Sequence, residues 1–408
     1  MGKLRKGNKE LIKDINMSVV IDAIRKNAPI SRSDVAVRTG LSLSTITNMV
    51  EELKEQDLVY EIGTANSTGG RRAILLEFNY NYGSTIGIKI MEDHLIFALT
   101  NLNGEILQKS ELNFERYEEP SVVVDLLKVG AKELMVKASN ANNLLGIGVA
   151  ASGLVNSDDG IVIRSSLLNW NNVNIRDMLK GEFNVPIYID NDVNAYNNAE
   201  IWMGYGTQHK NYLCMSVGDG LGSSIVVDGK IYSGEFGGAG EFGHTIIYPN
   251  GEPCHCGQKG CLEAYTSKRF LEKEVGRLLD KFPNSELHYT PITFESMKQA
   301  ADNQDALAIK VLKKLGENLG IGFINAINSI NPELIVMAGE GMIAKDYFLP
   351  YAIQISKNNF FSKAGYSTNI EVSKLGDDAW VQGASLLSVK HLFQPPLYEK
   401  NSYLINSY

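Results

Sequence analysis

The stretch IGIKIMEDHLIFALTNLNGEILQKSEL, residues 86–112, reads as three short strands joined by tight turns, and the chain repeats the pattern once. IGIKI, LIFALT and EILQKSEL have strand-like apolar patterning, and Asn103-Gly104 between the last two is a hairpin turn. Residues 211–235, NYLCMSVGDGLGSSIVVDGKIYSGE, follow the same plan, with Asp228-Gly229 at the equivalent turn. Helical segments and further strands come after each meander: GIGVA and PIYID after the first, ELIVMAG after the second. Helices are expected at 269–281, 294–303, 305–330 and 377–392. Two copies of a meander plus βα units predict an internally duplicated α/β fold of two lobes with a cleft between them.

Ahead of this unit the texture differs. Residues 8–26 carry Ile12, Ile15, Val19, Val20 and Ala23 at helical spacing, and Pro29 closes that helix. A short helix at Ser33–Thr39, capped by Ser31 or Ser33, stops at Gly40. Ser42 then caps a longer helix with Leu43, Ile46, Met49, Val50 and Leu53 on one face. Strands at Leu58–Ile62 and Ala73–Phe78 flank a polar loop, Gly63–Arg72. Helix, helix, glycine turn, helix and hairpin is the order of a winged helix-turn-helix. The expected division is 1–82 for this DNA-binding domain, 83–195 for the first lobe and 196–395 for the second. The last residues, LFQPPLYEKNSYLINSY, have no clear period.

Composition sets the broad class. At 408 residues the chain is long for one domain, and 44% hydrophobic with 21% charged residues is ordinary for a globular protein. No apolar run is long enough to span a bilayer, and the basic start leads into an amphipathic stretch, so the expected location is the cytoplasm, away from membranes. The net charge of −8 is unevenly spread. Residues 1–82 hold 12 basic against 10 acidic side chains, and the rest hold 27 against 37. A basic head on an acidic body suits a local phosphate-contacting surface.

Three segments carry chemistry. Within GHTIIYPNGEPCHCGQKGCLE, His244, Cys254, Cys256 and Cys261 offer one imidazole and three thiolates, the donor set of a closed structural zinc site, one ion per chain. His255 is the rival ligand; in a Cys-x-Cys pair the middle side chain tends to point away, which favours His244. Asn191 and Asp192 follow the strand PIYID at its carboxyl end, the edge where α/β proteins bind ligands. Glu241 and His244 lie on the glycine-rich GGAGEFGH, and Glu263 follows the last cysteine by two residues. Three carboxylates converging on a cleft suit several sugar hydroxyls at once. In the DNA-binding domain Ser42, Ser44, Thr45, Thr47 and Asn48 are placed to reach bases and phosphates, and Arg71 and Arg72 to enter a minor groove from the wing.

These motifs together resemble the ROK family of repressors, open reading frames and kinases, and its xylose-repressor-like regulators above all. The resemblance spans about residues 10–392 and rests on AGEFGH, the cysteine motif with GCLEAYTS after it, NDVNA at 191–195, and EIG…STGGRR. It implies an actin-like fold of the sugar-kinase and Hsp70 type, with Asp192 at the kinases' catalytic-base position. Asn191, Glu241, His244 and Glu263 match sugar-contacting positions, and His244, Cys254, Cys256 and Cys261 match zinc ligands.

The departures argue against phosphoryl transfer. Where kinases open on an Asp-x-Gly-Gly-Thr phosphate loop, this chain has Lys89 for the acidic residue and Met91-Glu92-Asp93 for the bare turn. Asp219 stands where kinases commonly have Thr, and Ala338-Gly339-Glu340-Gly341 only loosely resembles an adenosine loop. Leu167 replaces a sugar-contacting Asn ahead of Asn169-Trp170, which leaves xylose as the sugar in doubt. The expected function is a sugar-released repressor, not an enzyme, binding a palindromic operator as a homodimer or higher assembly. A sugar kinase with an added DNA-binding domain is the alternative, and a regulator held by a protein partner the third reading.

Overall fold

The computed structural model describes residues 4–64, 73–138, 143–394 and 397. The winged helix opens with α1 (Lys9–Asn27), strand β1 (Ile30–Ser31), α2 (Arg32–Thr39) and α3 (Leu43–Glu55), then β2 (Val59–Thr64) and β3 (Ile74–Phe78). Each helix starts where a short polar side chain meets its open end. Asn8, Ser31 and Ser42 accept from the backbone N–H of Leu11, Asp34 and Thr45. Gly40 ends α2 at φ 72°, the left-handed conformation that makes the turn into α3. The sheet order is β1-β3-β2, so Ile30-Ser31 adds a strand that the sequence reading left out. Arg71 and Arg72 lie outside the described residues.

The first lobe contains β4 (Ser84–Ile90), β5 (His94–Asn101), β6 (Ile106–Asn113), α4 (Pro120–Ala138) and β7 (Leu144–Ala151). A small antiparallel sheet follows, of β8 (Leu154–Asn156), β9 (Ile161–Ser165) and β10 (Trp170–Asn174), and then α5 (Ile175–Met178), β11 (Ile187–Asn191) and α6 (Asp192–Met203). The second lobe has β12 (Tyr212–Val217), β13 (Leu221–Val227), β14 (Lys230–Tyr232), α7 (Lys268–Leu278), α8 (Phe294–Asp302), α9 (Ala306–Ile330), β15 (Leu334–Ala338), α10 (Lys345–Ser356) and β16 (Asn369–Val372), and α11 (Ala379–Leu392) follows it. The two main sheets, β6-β5-β4-β7-β11 and β14-β13-β12-β15-β16, have one topology: an antiparallel meander extended by two parallel strands. The duplication expected from residues 86–112 and 211–235 is therefore present strand for strand.

Helix α11 returns from the end of the second lobe to lie on the first sheet and beside α6. A Cβ on Gly87 or Gly148 would overlap the carbonyls of Val381 or Ala384, and one on Gly383 would overlap that of Ala195. Backbone thus meets backbone. Both helices begin at the cleft and end at the winged helix. Trp202 near the end of α6 lies 3.9 Å beneath the Arg25 guanidinium of α1, and Phe393 just past α11 meets Phe78 of β3 edge-on at 5.2 Å. Met17, Ile21, Val50 and Leu53 of the winged helix share one core with Tyr196, Tyr212, Leu386 and Leu392 of the body.

That shared core generates a prediction. Trp202→Ala removes an aromatic contact worth about 3 kcal/mol and the face that holds Arg25. In calorimetry the wild-type winged helix should unfold with the body, whereas the variant should show a separate earlier transition; one unchanged transition contradicts the coupling.

Candidate functional site

The loop between β14 and α7 gathers the metal donors. One nitrogen of His244 and the sulfurs of Cys254, Cys256 and Cys261 all lie within 4.8 Å of one another. Cys256 Sγ is 3.7 Å from Cys261 Sγ, close to the roughly 3.8 Å edge of a tetrahedron with 2.3 Å metal–sulfur bonds. The loop can turn this tightly because Gly257 and Gly260 have φ of 97° and 81°, and a Cβ on Gly260 would run into the Tyr248 carbonyl. Burial raises the Cys254 and Cys261 thiols above their ordinary range, and a divalent cation among them is what would favour the thiolates. The donor set fits such a cation. His255 points its Nε2 at Glu263 Oε1 instead; with His244 it also forms a second, smaller group of possible ligands around that carboxylate.

The carboxylates meet on the cleft side of this loop. His244 turns Nδ1 to Cys254 Sγ at 3.6 Å, which leaves Nε2 facing Glu241 Oε2 at 3.8 Å. Glu263 is 8% exposed; its Oε2 accepts from Leu221 N–H at 3.1 Å. Burial alone would raise the Glu263 carboxyl, but the His255 hydrogen bond and charge and the Leu221 N–H hold it below the usual range. Partial burial raises Glu241, with Glu263 and Asp192 adding and His244 opposing, so all three carboxylates share one field. Asp192 opens α6, with Oδ1 accepting from Val193 N–H. Asn191 is committed to the fold. Its Oδ1 caps α6 through Val193 and Asn194, and its Nδ2 donates to Gly153 O at 2.9 Å, leaving one amide hydrogen for a ligand. Leu167 is half-buried in the turn between β9 and β10.

The adjoining cleft is acidic where the loops of a kinase would hold phosphates. Lys89 of β4 is 6% exposed, with its ammonium 3.4 Å from the Trp380 ring centroid and 3.9 Å from Asp192 Oδ2. Glu92, bridged to Arg116 at 2.7 Å, is raised first by burial and then by Asp219. Glu340 is raised by the same two causes in the same order. Three carboxylates thus crowd the loops that hold phosphates in a kinase, and a Cβ on Gly218 would press against the Glu340 side chain. The sequence flagged each residue; it did not reveal that Trp380, 291 positions from Lys89 along the chain, covers the ammonium.

On the recognition helix α3, Ser42, Ser44, Thr47 and Asn48 are exposed and Thr45 is half-buried. Ser42 serves mainly as the cap, with Ser44 and Thr45 hydroxyls at 2.9 and 2.8 Å, and Thr47 donates back to Leu43 O at 2.8 Å. Ser44 and Asn48 are left as the more available polar groups of this face.

A family model described as the ROK family matches residues 85–391, and one for a winged helix-turn-helix DNA-binding domain matches residues 13–60. The chain belongs to the ROK family. It is 32% identical to the xylose repressor of Caldicellulosiruptor bescii over 398 residues, 96% of this chain and all of that one. To the DNA-binding transcriptional dual regulator NagC of Escherichia coli it is 29% identical over 403 residues, 96% of this chain and 99% of the other. The crystal structure of a ROK family transcriptional regulator, a homolog of the E. coli MLC protein, superposes with a TM-score of 0.82 at 28% identity, covering 95% of this chain and 98% of that one. This ROK chain thus aligns end to end with regulators, winged helix included, and its role is regulatory rather than enzymatic.

The acidic cleft predicts that ATP with Mg²⁺ leaves the unfolding midpoint unchanged and that no sugar is phosphorylated. Steady ADP release with any monosaccharide, lost in Asp192→Asn, would contradict the reading of Lys89, Glu92 and Glu340.

Proposed function

We propose that the protein is a sugar-responsive transcriptional repressor whose operator binding is relieved by a monosaccharide held among Asp192, Glu241, Glu263 and His244. The observation that carries this reading is the course of α6. It begins at Asp192 among the cleft carboxylates and, ten residues or about 15 Å further on, reaches Trp202 under Arg25 of the DNA-binding domain. Carboxylates from the second lobe (Glu241, Glu263) and the first (Asp192) would accept hydroxyl hydrogens of one sugar. His244 Nε2 would add a donor. Satisfying both lobes at once favours one lobe arrangement over another, and only such a difference lets a ligand shift the equilibrium.

The relatives named xylose repressor and N-acetylglucosamine repressor support a monosaccharide as the ligand class without choosing between those two. Leu167 offers no hydrogen bond where a sugar-contacting Asn is expected, which speaks against direct transfer of xylose. Recognition of a palindromic operator by two winged helices follows from the short half-site that one module covers. Ser44 and Asn48 would touch bases or phosphates, Ser42, Thr45 and Thr47 would set the helix against the backbone, and Arg71 and Arg72 would extend the contact along the groove. Such a protein works in the cytoplasm, where the operator is.

A gel-shift titration with D-xylose and N-acetyl-D-glucosamine in parallel, within a monosaccharide panel, tests the reading. One sugar should release operator DNA from the wild-type protein. Glu241→Ala should keep operator affinity and need at least tenfold more of that sugar, since a hydrogen bond to a charged group contributes about 1.5–3 kcal/mol. Operator affinity unmoved by every sugar in the panel would remove the proposal.

Zinc would be held by His244 Nδ1 and the three cysteine sulfurs, fixing the loop that carries Glu241 and Glu263 and orienting His244 Nε2. Elemental analysis of protein purified without chelator should give one zinc per chain. Cys256→Ser should lose both the zinc and the sugar response while still binding operator. Metal-free wild-type protein with a full sugar response would exclude this role.

A further inference from the structure

We propose that Lys89 is the resident cation of the cleft: a positioning residue whose ammonium stands in for an external metal by neutralising Asp192 and pinning it beneath Trp380. The inference rests on the reading of the cleft as closed to nucleotide, and it adds what replaces the missing charge. Lys89 sits mid-cleft on the strand that opens the first lobe. Its Nζ lies over the Trp380 ring face at 3.4 Å and 3.9 Å from Asp192 Oδ2. At 6% exposure it has almost no access to water, and an unpaired ammonium cannot be kept there.

The surroundings supply compensation from both lobes. Burial holds the Lys89 pKa below its ordinary value, and Asp192, Glu340, Asp377 and Asp219, in that order, oppose the shift without cancelling it. Asp192 belongs to α6, Asp219 to the turn between β12 and β13, Glu340 to the turn after β15, and Asp377 to the approach to α11. Of these four, Asp192 alone lies within 4 Å of the ammonium; Asp219 is 3.3 Å from the Lys268 ammonium, and Glu340 and Asp377 are exposed. Remove the Lys89 ammonium and half-buried Asp192 loses its one close cation among the described residues.

The Trp380 face adds direction to this. The quadrupole of the ring attracts a cation and not a neutral chain of the same shape. Trp380 in turn packs edge-on against Tyr196 at 4.6 Å, and the Tyr196 hydroxyl donates to Ser373 Oγ at 2.7 Å, which donates to Glu200 Oε1 at 2.5 Å. Glu200 Oε2 accepts from Tyr205 N–H just beyond α6. The ammonium therefore touches the first turn of both α6 and α11, at Asp192 and Trp380. The cleft of a regulator assembled in this way needs no nucleotide to bring Asp192 into place.

A double-mutant cycle on the full-length protein, read as the thermal unfolding midpoint without sugar, tests the idea. Lys89→Met keeps the length of the side chain and removes its charge; Asp192→Asn does the same for the partner. Each single substitution should lower the midpoint by several degrees, because each leaves an uncompensated buried charge. The double variant should unfold above Lys89→Met alone, because neither charge is then stranded. A double variant whose loss equals or exceeds the two single losses together overturns the proposal. If Lys89→Met does not fold, recovery of folded protein on adding Asp192→Asn supports the pairing and failure to recover it rejects the pairing. The readout contains neither sugar nor DNA, so its failure is distinguishable from failure of operator release by a sugar.

Discussion

The packing of α6 and α11 against the first sheet depends on three close approaches in which no side chain intervenes. Gly87 and Gly148 on the first sheet and Gly383 on α11 let a strand pair, α11 and α6 approach backbone to backbone. Ser385 then fastens α11 to the sheet, with its hydroxyl 3.2 Å from that of Thr85 and 2.5 Å from that of Thr100. Contacts this close have no soft layer to absorb a shift, so a movement at one end of either helix is carried along it rather than dissipated. Both helices start at the cleft, at Asp192 and near Trp380, and finish under the winged helix, at Trp202 and Phe393. A repressor built on a kinase-like body needs such rods. A kinase does not, because its cleft has only to close on its own substrates.

The electrostatics of the cleft separate the two uses of one fold. Phosphoryl transfer requires a nucleotide, a metal and a base in one place. A sensor requires only that a ligand bind two arrangements unequally. With Glu92, Asp219 and Glu340 where phosphates would approach, the charge of the cleft already opposes a triphosphate. Asp192 is retained with its backbone setting intact, at the N-terminus of α6, where the helix dipole favours a carboxylate. In the proposed role Asp192 would accept a hydroxyl hydrogen rather than take up a proton.

The fold was legible in the sequence because its signals are local. Asn103-Gly104 and Asp228-Gly229 mark both hairpins, Gly40 and Ser42 mark the helix-turn-helix, and the spacing of Cys254, Cys256 and Cys261 marks the metal loop. What escaped has physical reasons. The sheet of β8, β9 and β10 is made of strands of three to five residues with polar interruptions, too short for a period to emerge. Helix α10 carries Pro350, which reads as a breaker, yet the structure accommodates it within the helix. At the site, the placing of His244 among the cysteines follows from the motif, but the hydrogen bond from His255 to Glu263 does not. Nor could Trp380 over Lys89, or Trp202 under Arg25, be read from positions so far apart along the chain. Asn191 has a second duty that its motif does not reveal: its Oδ1 caps α6 and its Nδ2 donates to Gly153 O, leaving one amide hydrogen for a ligand.

Whether three carboxylates suffice to drive such a switch can be judged by magnitude. Moving a two-state equilibrium from 1:99 to 99:1 takes a preference of about 5.5 kcal/mol for one state. A hydrogen bond to an ionised group contributes roughly 1.5–3 kcal/mol. Two such bonds lost in the open arrangement amount to roughly 3–6 kcal/mol, which reaches the requirement only at the upper end of that range. Glu241 and Glu263 belong to the second lobe and Asp192 to the first, so a sugar seated on one lobe alone forgoes either one or two of them. The count therefore matters more than the strength of any single contact. Rigidity of the loop matters equally, since a carboxylate free to follow the sugar from one lobe arrangement to the other contributes nothing to the difference. Glu263 meets that condition: it is tied to both His255 and the Leu221 N–H, two residues from Cys261 in a loop that gathers four possible metal donors.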